Sequence, residues 1–123
     1  MNKFLVAAGV VLALDFIWLS LNVDAHKKLF KSVQGSPLSI RVIPAMAVYI
    51  LIPLAIVFFA VNGAKSIKDA ATKGALLGAS MYGLYDLTNL STLKGWTYIM
   101  TIKDTLWGTA VCSAAAAAAM KFK

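Results

Sequence analysis

The sequence contains no glutamate, one histidine and one cysteine. A lone cysteine, Cys112, excludes an intrachain disulfide. A lone histidine, His26, with no second His or Cys at ligand spacing, gives no reason to expect a zinc site, and no metal site is assigned. Its plain reading is an interfacial loop residue. All five carboxylates are aspartates, set against 12 Lys plus Arg, for a net charge of +7. In a soluble chain that balance would raise nucleic acid as a partner. Here the cations sit at the termini and between apolar blocks, which suits phosphate headgroups and membrane topology. No nucleic-acid partner is expected. No lysine lies inside an apolar block, which disfavours a retinal-type Schiff base.

What is abundant is hydrocarbon. Of 123 residues, 60% are hydrophobic, and the mean hydropathy is +0.77. A soluble domain of this length has too little interior to hide that surface. The apolar residues also come in blocks that approach the roughly 17 to 25 residues needed to cross a bilayer. The expectation is an all-α integral membrane protein, one domain over residues 1–123. It is read as a four-transmembrane-helix antiparallel bundle with short loops, its helices near 4–21, 40–61, 74–90 and 105–120.

The first block begins like a secretion signal, but it runs on past Asp15 and is read as a helix. Asp15, Trp18 and Asn22 share one face at i, i+3 and i+7. An aspartate near the centre of a membrane helix costs about 2.5 to 3.5 kcal/mol on insertion scales, so it should face protein or water. Residues 24–39 read as a first loop suited to the interface. Pro44 falls in the first turns of the second helix, and Pro53 in its interior should kink it or loosen its hydrogen-bond ladder. Asn62-Gly63 reads as its C-terminal signal. Lys65, Lys68, Asp69 and Lys73 read as a second loop. Gly74-x-x-x-Gly78, continued by Ala79 and Gly83, is a close-packing motif. Further along, Tyr82, Tyr85, Asp86 and Asn89 fall on one side. Residues 91–104 read as a third loop, with Trp96 and Tyr98 as interface residues. The fourth helix is capped by Asp104 or Thr105 and carries Trp107, Gly108 and the alanine run 114–119. The tail through Lys123 reads as an anchor.

Alternating helix directions put the first and third loops on one side of the bundle. Asp15 and Trp18, Asp86 and Asn89, and Asp104 and Trp107 then gather in the same half, with Tyr85, Lys94 and Trp96. The other half is Val, Ala, Leu and Gly. Lys27, Lys28, Lys31, Arg41, Lys94 and Lys103 on one side balance Lys3, Lys65, Lys68, Lys73, Lys121 and Lys123 on the other, so loop charge leaves orientation open.

Tyr85-Asp86-Leu-Thr88-Asn89-Leu-x-Thr92-Leu-Lys94-Gly95-Trp96, with Asp15-x-x-Trp18-Leu19 and Asp104-x-x-Trp107-Gly108-Thr109, resembles the small predicted membrane proteins of domain of unknown function 2177. The resemblance covers essentially the whole chain and implies four transmembrane helices. It implies no activity. In that family the tryptophan is typically followed by Pro, whereas here it is followed by Thr97.

Two kinds of reading remain for the polar half. Polar side chains between membrane helices can act as glue, at about 0.6 kcal/mol each on average. Alternatively, Asp15, Trp18, Tyr85, Asp86, Asn89, Lys94, Trp96, Asp104 and Trp107 form a proton, ion or ligand site, as expected for a small transporter or ion pathway using intramembrane carboxylates. An assembly module holding a lipid, pigment or small amphiphile is the alternative, forming a homo-oligomer or joining a larger complex through the Gly74/Gly78 and alanine-rich surfaces; Gly74, Gly78, Gly83 and Gly108 are the helix-packing residues. A lipid-modifying enzyme has least behind it, since no nucleophile–base pair stands out. No cofactor is implied.

Overall fold

α1 (Lys3–Leu21) starts where the Asn2 side chain accepts the Phe4 N–H at 2.7 Å. A computed structural model describes residues 2–122; Met1 and Lys123, the last residue of the expected anchor, lie outside them. The described chain is helical, with five helices rather than four and no strand among the described residues.

The additional helix is α2 (Val23–Gln34), within what reads in sequence as the first loop. His26, Leu29, Phe30 and Val33, at i, i+3, i+4 and i+7, are its buried or half-buried residues, while Lys27, Lys28 and Lys31 are exposed. Gly35 ends it with φ +75, where a side chain would be strained. The Asn22 side chain donates to the Trp18 carbonyl at 2.9 Å at the junction of α1 and α2.

α3 (Val42–Ala55) has Pro44 in its first turn and Pro53 inside. Proline removes one N–H from the ladder. Three residues later the helix widens into a π segment, Ile56–Val61, with the Asn62 N–H reaching back five residues to the Val57 carbonyl at 2.9 Å. The loosening expected of Pro53 thus takes the form of a change of helical pitch. The helix ends at Asn62 without a left-handed Gly63.

α4 (Ile67–Thr92) begins a full two turns before the expected start. Ser66 caps it by accepting the Asp69 N–H at 3.0 Å, and Asp69 accepts the Lys65 N–H at 3.0 Å. This Ser-x-x-Asp spacing, with the aspartate reaching the N–H one residue before the cap, is the helix-start signal within the expected loop. Accepting that N–H, with the Lys73 ammonium 3.3 Å away, holds the Asp69 carboxyl below the usual carboxylate range. A depressed carboxyl stabilises the fold above its ordinary titration range and loses that contribution as pH falls through its lowered value. Asp69→Asn is therefore expected to lower the thermal midpoint at neutral pH and to leave it unchanged in acid. Melting curves at the two pH values in detergent check this.

α5 (Tyr98–Met120) is also longer than expected. Its cap is Thr97, whose hydroxyl accepts the Met100 N–H at 3.0 Å. Asp104 and Thr105 are therefore not caps. They lie within the helix, and Asp104 is free to face inward.

α4 and α5 form the most extensive interface, and their glycines explain why. A Cβ on Gly74 would lie 2.5 Å from the Cys112 carbonyl oxygen, and one on Gly78 would collide with the Gly108 carbonyl. A Cβ on Gly108 would enter the Tyr82 ring. Gly83 is different: its added Cβ meets Thr105 Cγ2 at an ordinary 3.6 Å. The small-residue faces expected to join separate copies are thus spent within one chain, and Gly83 is not required for the approach. Ser113 adds a hydrogen bond across the pair, to the Ala71 carbonyl at 2.9 Å.

α1 packs on α5 and α3, and the π segment packs on α4, α5 and α1. The core is built from small side chains: Ala7, Val11, Ala60, Val61, Ala70, Val111, Cys112, Ala115, Ala116 and Ala119. Ile56 is buried with them, while many other large apolar side chains point outward, among them Phe16 at 74%, Phe58 at 69%, Leu84 at 73% and Leu106 at 65% exposure. Two helices are long and apolar enough to cross a membrane, Lys3–Leu21 and Val42–Val61. Only 17% and 11% of their most apolar windows are buried inside the protein, so they are not the core helices of a soluble fold. α4 and α5 fall short of that apolar standard.

Candidate functional site

The part of α3 beyond Pro53 packs closely on α4 and α5, whereas the part before it packs chiefly on α1. The wedge left between the part before Pro53 and α4 is a cavity of about 480 Å³. Asp15 and Trp18 of α1, Tyr49 and Ile52 of α3, Tyr82, Tyr85 and Asp86 of α4, and Asp104 and Trp107 of α5 line it. His26 and Phe30 of α2 and Trp96 of the α4–α5 loop also line it, with Leu19, Val48, Met81 and Met100 between. α2 is therefore part of the cavity wall and not a solvated loop.

The deep end is ordered around Asp15. The Trp107 indole N–H donates to its Oδ1 at a long 3.4 Å, and the Tyr49 hydroxyl is a hydrogen-bonding neighbour. Trp107 stacks on Trp18 with ring centres 4.9 Å apart and planes 14° from parallel. α1 and α5 are thus joined by an aromatic pair and a carboxylate contact.

The other end is an aromatic chain. Tyr85 meets Trp96 edge to face at 6.0 Å, Trp96 meets Phe30 at 5.6 Å, and Phe30 lies 6.4 Å from His26. Gly95 allows this with φ +99, placing its backbone beside Ser32 and Val33 of α2. Trp96, expected at the lipid interface, is buried beneath α2, while Tyr98 is 75% exposed as an interface residue would be.

Asp86 is the unusual member. It is fully buried, and neither carboxylate oxygen has a hydrogen-bond partner among the described residues. Its polar neighbours are Asp104 and Thr105 on α5, and the Thr105 hydroxyl is also unpaired. Buried polar atoms are paired in the large majority of cases, so this one asks for an explanation. Lys94 does not provide it. Lys94 is exposed and lies outside the lining, and the ion pair found among the described residues is Lys73–Asp69. Asn89 also lies outside the lining, beside Tyr85.

Of the nine residues expected at a site, seven face one cavity: Asp15, Trp18, Tyr85, Asp86, Trp96, Asp104 and Trp107. Tyr49, His26 and Phe30 were not among those expected. His26 and Phe30 follow from the helical spacing of α2. Tyr49 has only a weak signal, its position one turn before Pro53. Among the described residues, no three His, Cys, Asp or Glu side chains come close enough together to hold a metal ion.

No curated protein and no solved structure matches the chain. A family model does, over residues 1–121, so the chain carrying this aspartate- and tryptophan-lined cavity belongs to the predicted membrane protein family DUF2177.

Proposed function

We propose that this is a four-pass membrane protein that moves a cation or proton through the carboxylate-lined cavity. The carrying observation is Asp86: buried, without a hydrogen-bond partner, and lining a cavity that presents no Lys or Arg. An isolated buried charge is costly unless something compensates it, and a passing cation or proton is such a partner.

The four-pass arrangement draws support from the outer surface. α4 exposes Leu76, Leu84 and Leu87, and α5 exposes Ile99, Ile102 and Leu106. Among the outer polar residues of the two helices, Ser80, Ser91 and Thr92 of α4 donate to carbonyls three or four residues back within the helix. Their costly groups, Asp86 and Asp104, face inward. These two helices miss the apolar standard because they line the site, and their surfaces still suit lipid. At about 1.5 Å per residue, the 26-residue α4 spans about 39 Å, so its Lys68 and Lys73 turns extend beyond a roughly 30 Å hydrocarbon core.

In this reading Asp15 and Asp86 exchange the moving ion or proton, and the Trp18–Trp107 pair shields the path from lipid. Proteoliposomes carrying an internal pH dye are expected to show cation-coupled proton movement. Asp15→Asn and Asp86→Asn are each expected to reduce it at least tenfold. Flux unchanged in both variants rejects the mechanism. The mainly apolar wall of the cavity supports a second reading, a site that stores a lipid or pigment. Copurification of such a molecule without any flux would favour it.

A further inference from the structure

We infer that the cavity's occupant is a monovalent organic cation: an ammonium or other onium group on an apolar body of a few rings. This deepens the cation reading above and rests on it. The sign comes from the lining, which holds Asp15, Asp86 and Asp104 and neither Lys nor Arg. Asp86 has both oxygens buried and unpaired beside that space. An anion would meet three carboxylates there. A neutral molecule would leave Asp86 uncompensated unless it brought its own donors.

The charge must also be single and diffuse. A calcium ion takes six to eight oxygen ligands, and magnesium demands near-ideal octahedral geometry. The carboxylates around this cavity do not converge closely enough for a metal ion. No three of them gather at one point, and the wall between them is otherwise aromatic, aliphatic and methionine. An alkali ion would exchange its water shell for ring faces and single oxygens. An onium ion keeps its charge inside its own hydrocarbon and loses little hydration, so ring faces are good partners for it.

The size agrees. About 480 Å³ is far more than one bare ion needs and falls within the roughly 300 to 1,000 Å³ of small-molecule sites. The walls offer two kinds of aromatic contact. At one end is the parallel Trp18–Trp107 stack, and at the other the edge-to-face Tyr85–Trp96 pair. The body would rest on these while the charged atom lies toward Asp86 and Asp104.

All three tryptophans of the chain line this cavity, so intrinsic fluorescence reports it directly. The test is titration of the full chain in a nonionic detergent with tetraphenylphosphonium and, separately, with tetraphenylborate. The two ions match in shape and differ in sign. The expected result is a saturable change in tryptophan emission with the phosphonium only, with Kd raised at least tenfold in Asp86→Asn. Asp104→Asn is titrated as well and should shift Kd in the same direction, which covers failure of the first variant to fold; far-UV circular dichroism checks folding. Equal saturation by both ions, or an unchanged Kd in every folded variant, overturns the inference. Suppose sodium- or potassium-coupled proton flux persists in proteoliposomes, is lost in Asp86→Asn, and is not competed by the phosphonium. The inference then falls while the pathway reading stands. Absence of binding and of any flux removes both.

Discussion

Gly78→Leu is expected to leave little folded protein. An added Cβ at 78 collides with the Gly108 carbonyl and lies 2.9 Å from Cys112 Cβ. Neither obstacle is the flexible end of a side chain, so only separation of α4 from α5 relieves the clash. Overpacking a close-fitted site costs about 1 to 3 kcal/mol and occasionally more. Leucine adds three further carbons in the same direction, at the centre of the bundle's largest interface. The measurements are the yield of monodisperse protein in detergent and the thermal midpoint by circular dichroism. Gly83→Ala is the matched control. Its Cβ meets Thr105 Cγ2 at an ordinary 3.6 Å, and alanine is the better helix former by about 1 kcal/mol. It should melt at the same temperature or higher. A Gly78→Leu protein that melts like the parent would mean that α4 and α5 do not approach as described.

The same contacts explain which parts of the fold could be read in advance. Deep polar residues were legible because hydrocarbon penalises them, so Asp15 and Asp86 demanded a shared interior as soon as the helix directions were assigned. The two ends of α2 were less visible. Its lysines are spaced like a solvated loop, and only His26, Leu29, Phe30 and Val33 reveal the covered face. The early starts of α4 and α5 were hidden for a related reason. A hydropathy boundary marks where hydrocarbon begins, whereas a helix begins at its cap, here Ser66 and Thr97. Asp104 stands at the hydropathy boundary, but the cap is Thr97, which leaves Asp104 inside the helix and free to line the cavity.

The cavity's position follows from one residue that was legible and one consequence that was not. Pro53 announced a defect in α3, but not its kind. A π segment after the proline lets Ile56, Ala60 and Val61 reach the small faces of α4 and α5. The part before it, with Val48, Tyr49 and Ile52, borders the open wedge. One half of the bundle can therefore be dry and close-packed on alanine and glycine while the other stays open around aspartates. Lys94 shows the limit of reading charges by sequence proximity. It lies eight positions after Asp86, yet it remains on the surface while the aspartate turns inward.

Asp86→Leu is expected to stabilise the protein and abolish its activity together. Leaving a buried polar group unpaired costs about 1 to 3 kcal/mol, and more for a charged one. Replacing an unpaired buried carboxyl by hydrocarbon removes that cost, and the adjoining cavity gives leucine room that a filled core would not. The thermal midpoint in ligand-free detergent solution should rise, by an amount corresponding to about 1 to 3 kcal/mol. Proton movement in proteoliposomes and phosphonium binding should both be lost. Asp86→Asn should lose activity equally but gain less stability, because an amide keeps a polar group in the same buried place. The opposite pattern is equally informative. If Asp86→Leu lowers the midpoint, the carboxylate is tying α4 to α5 through Asp104 or Thr105, and its role is structural. A stability gain accompanied by loss of flux is the signature of a group kept at a cost to the fold because its partner arrives from outside.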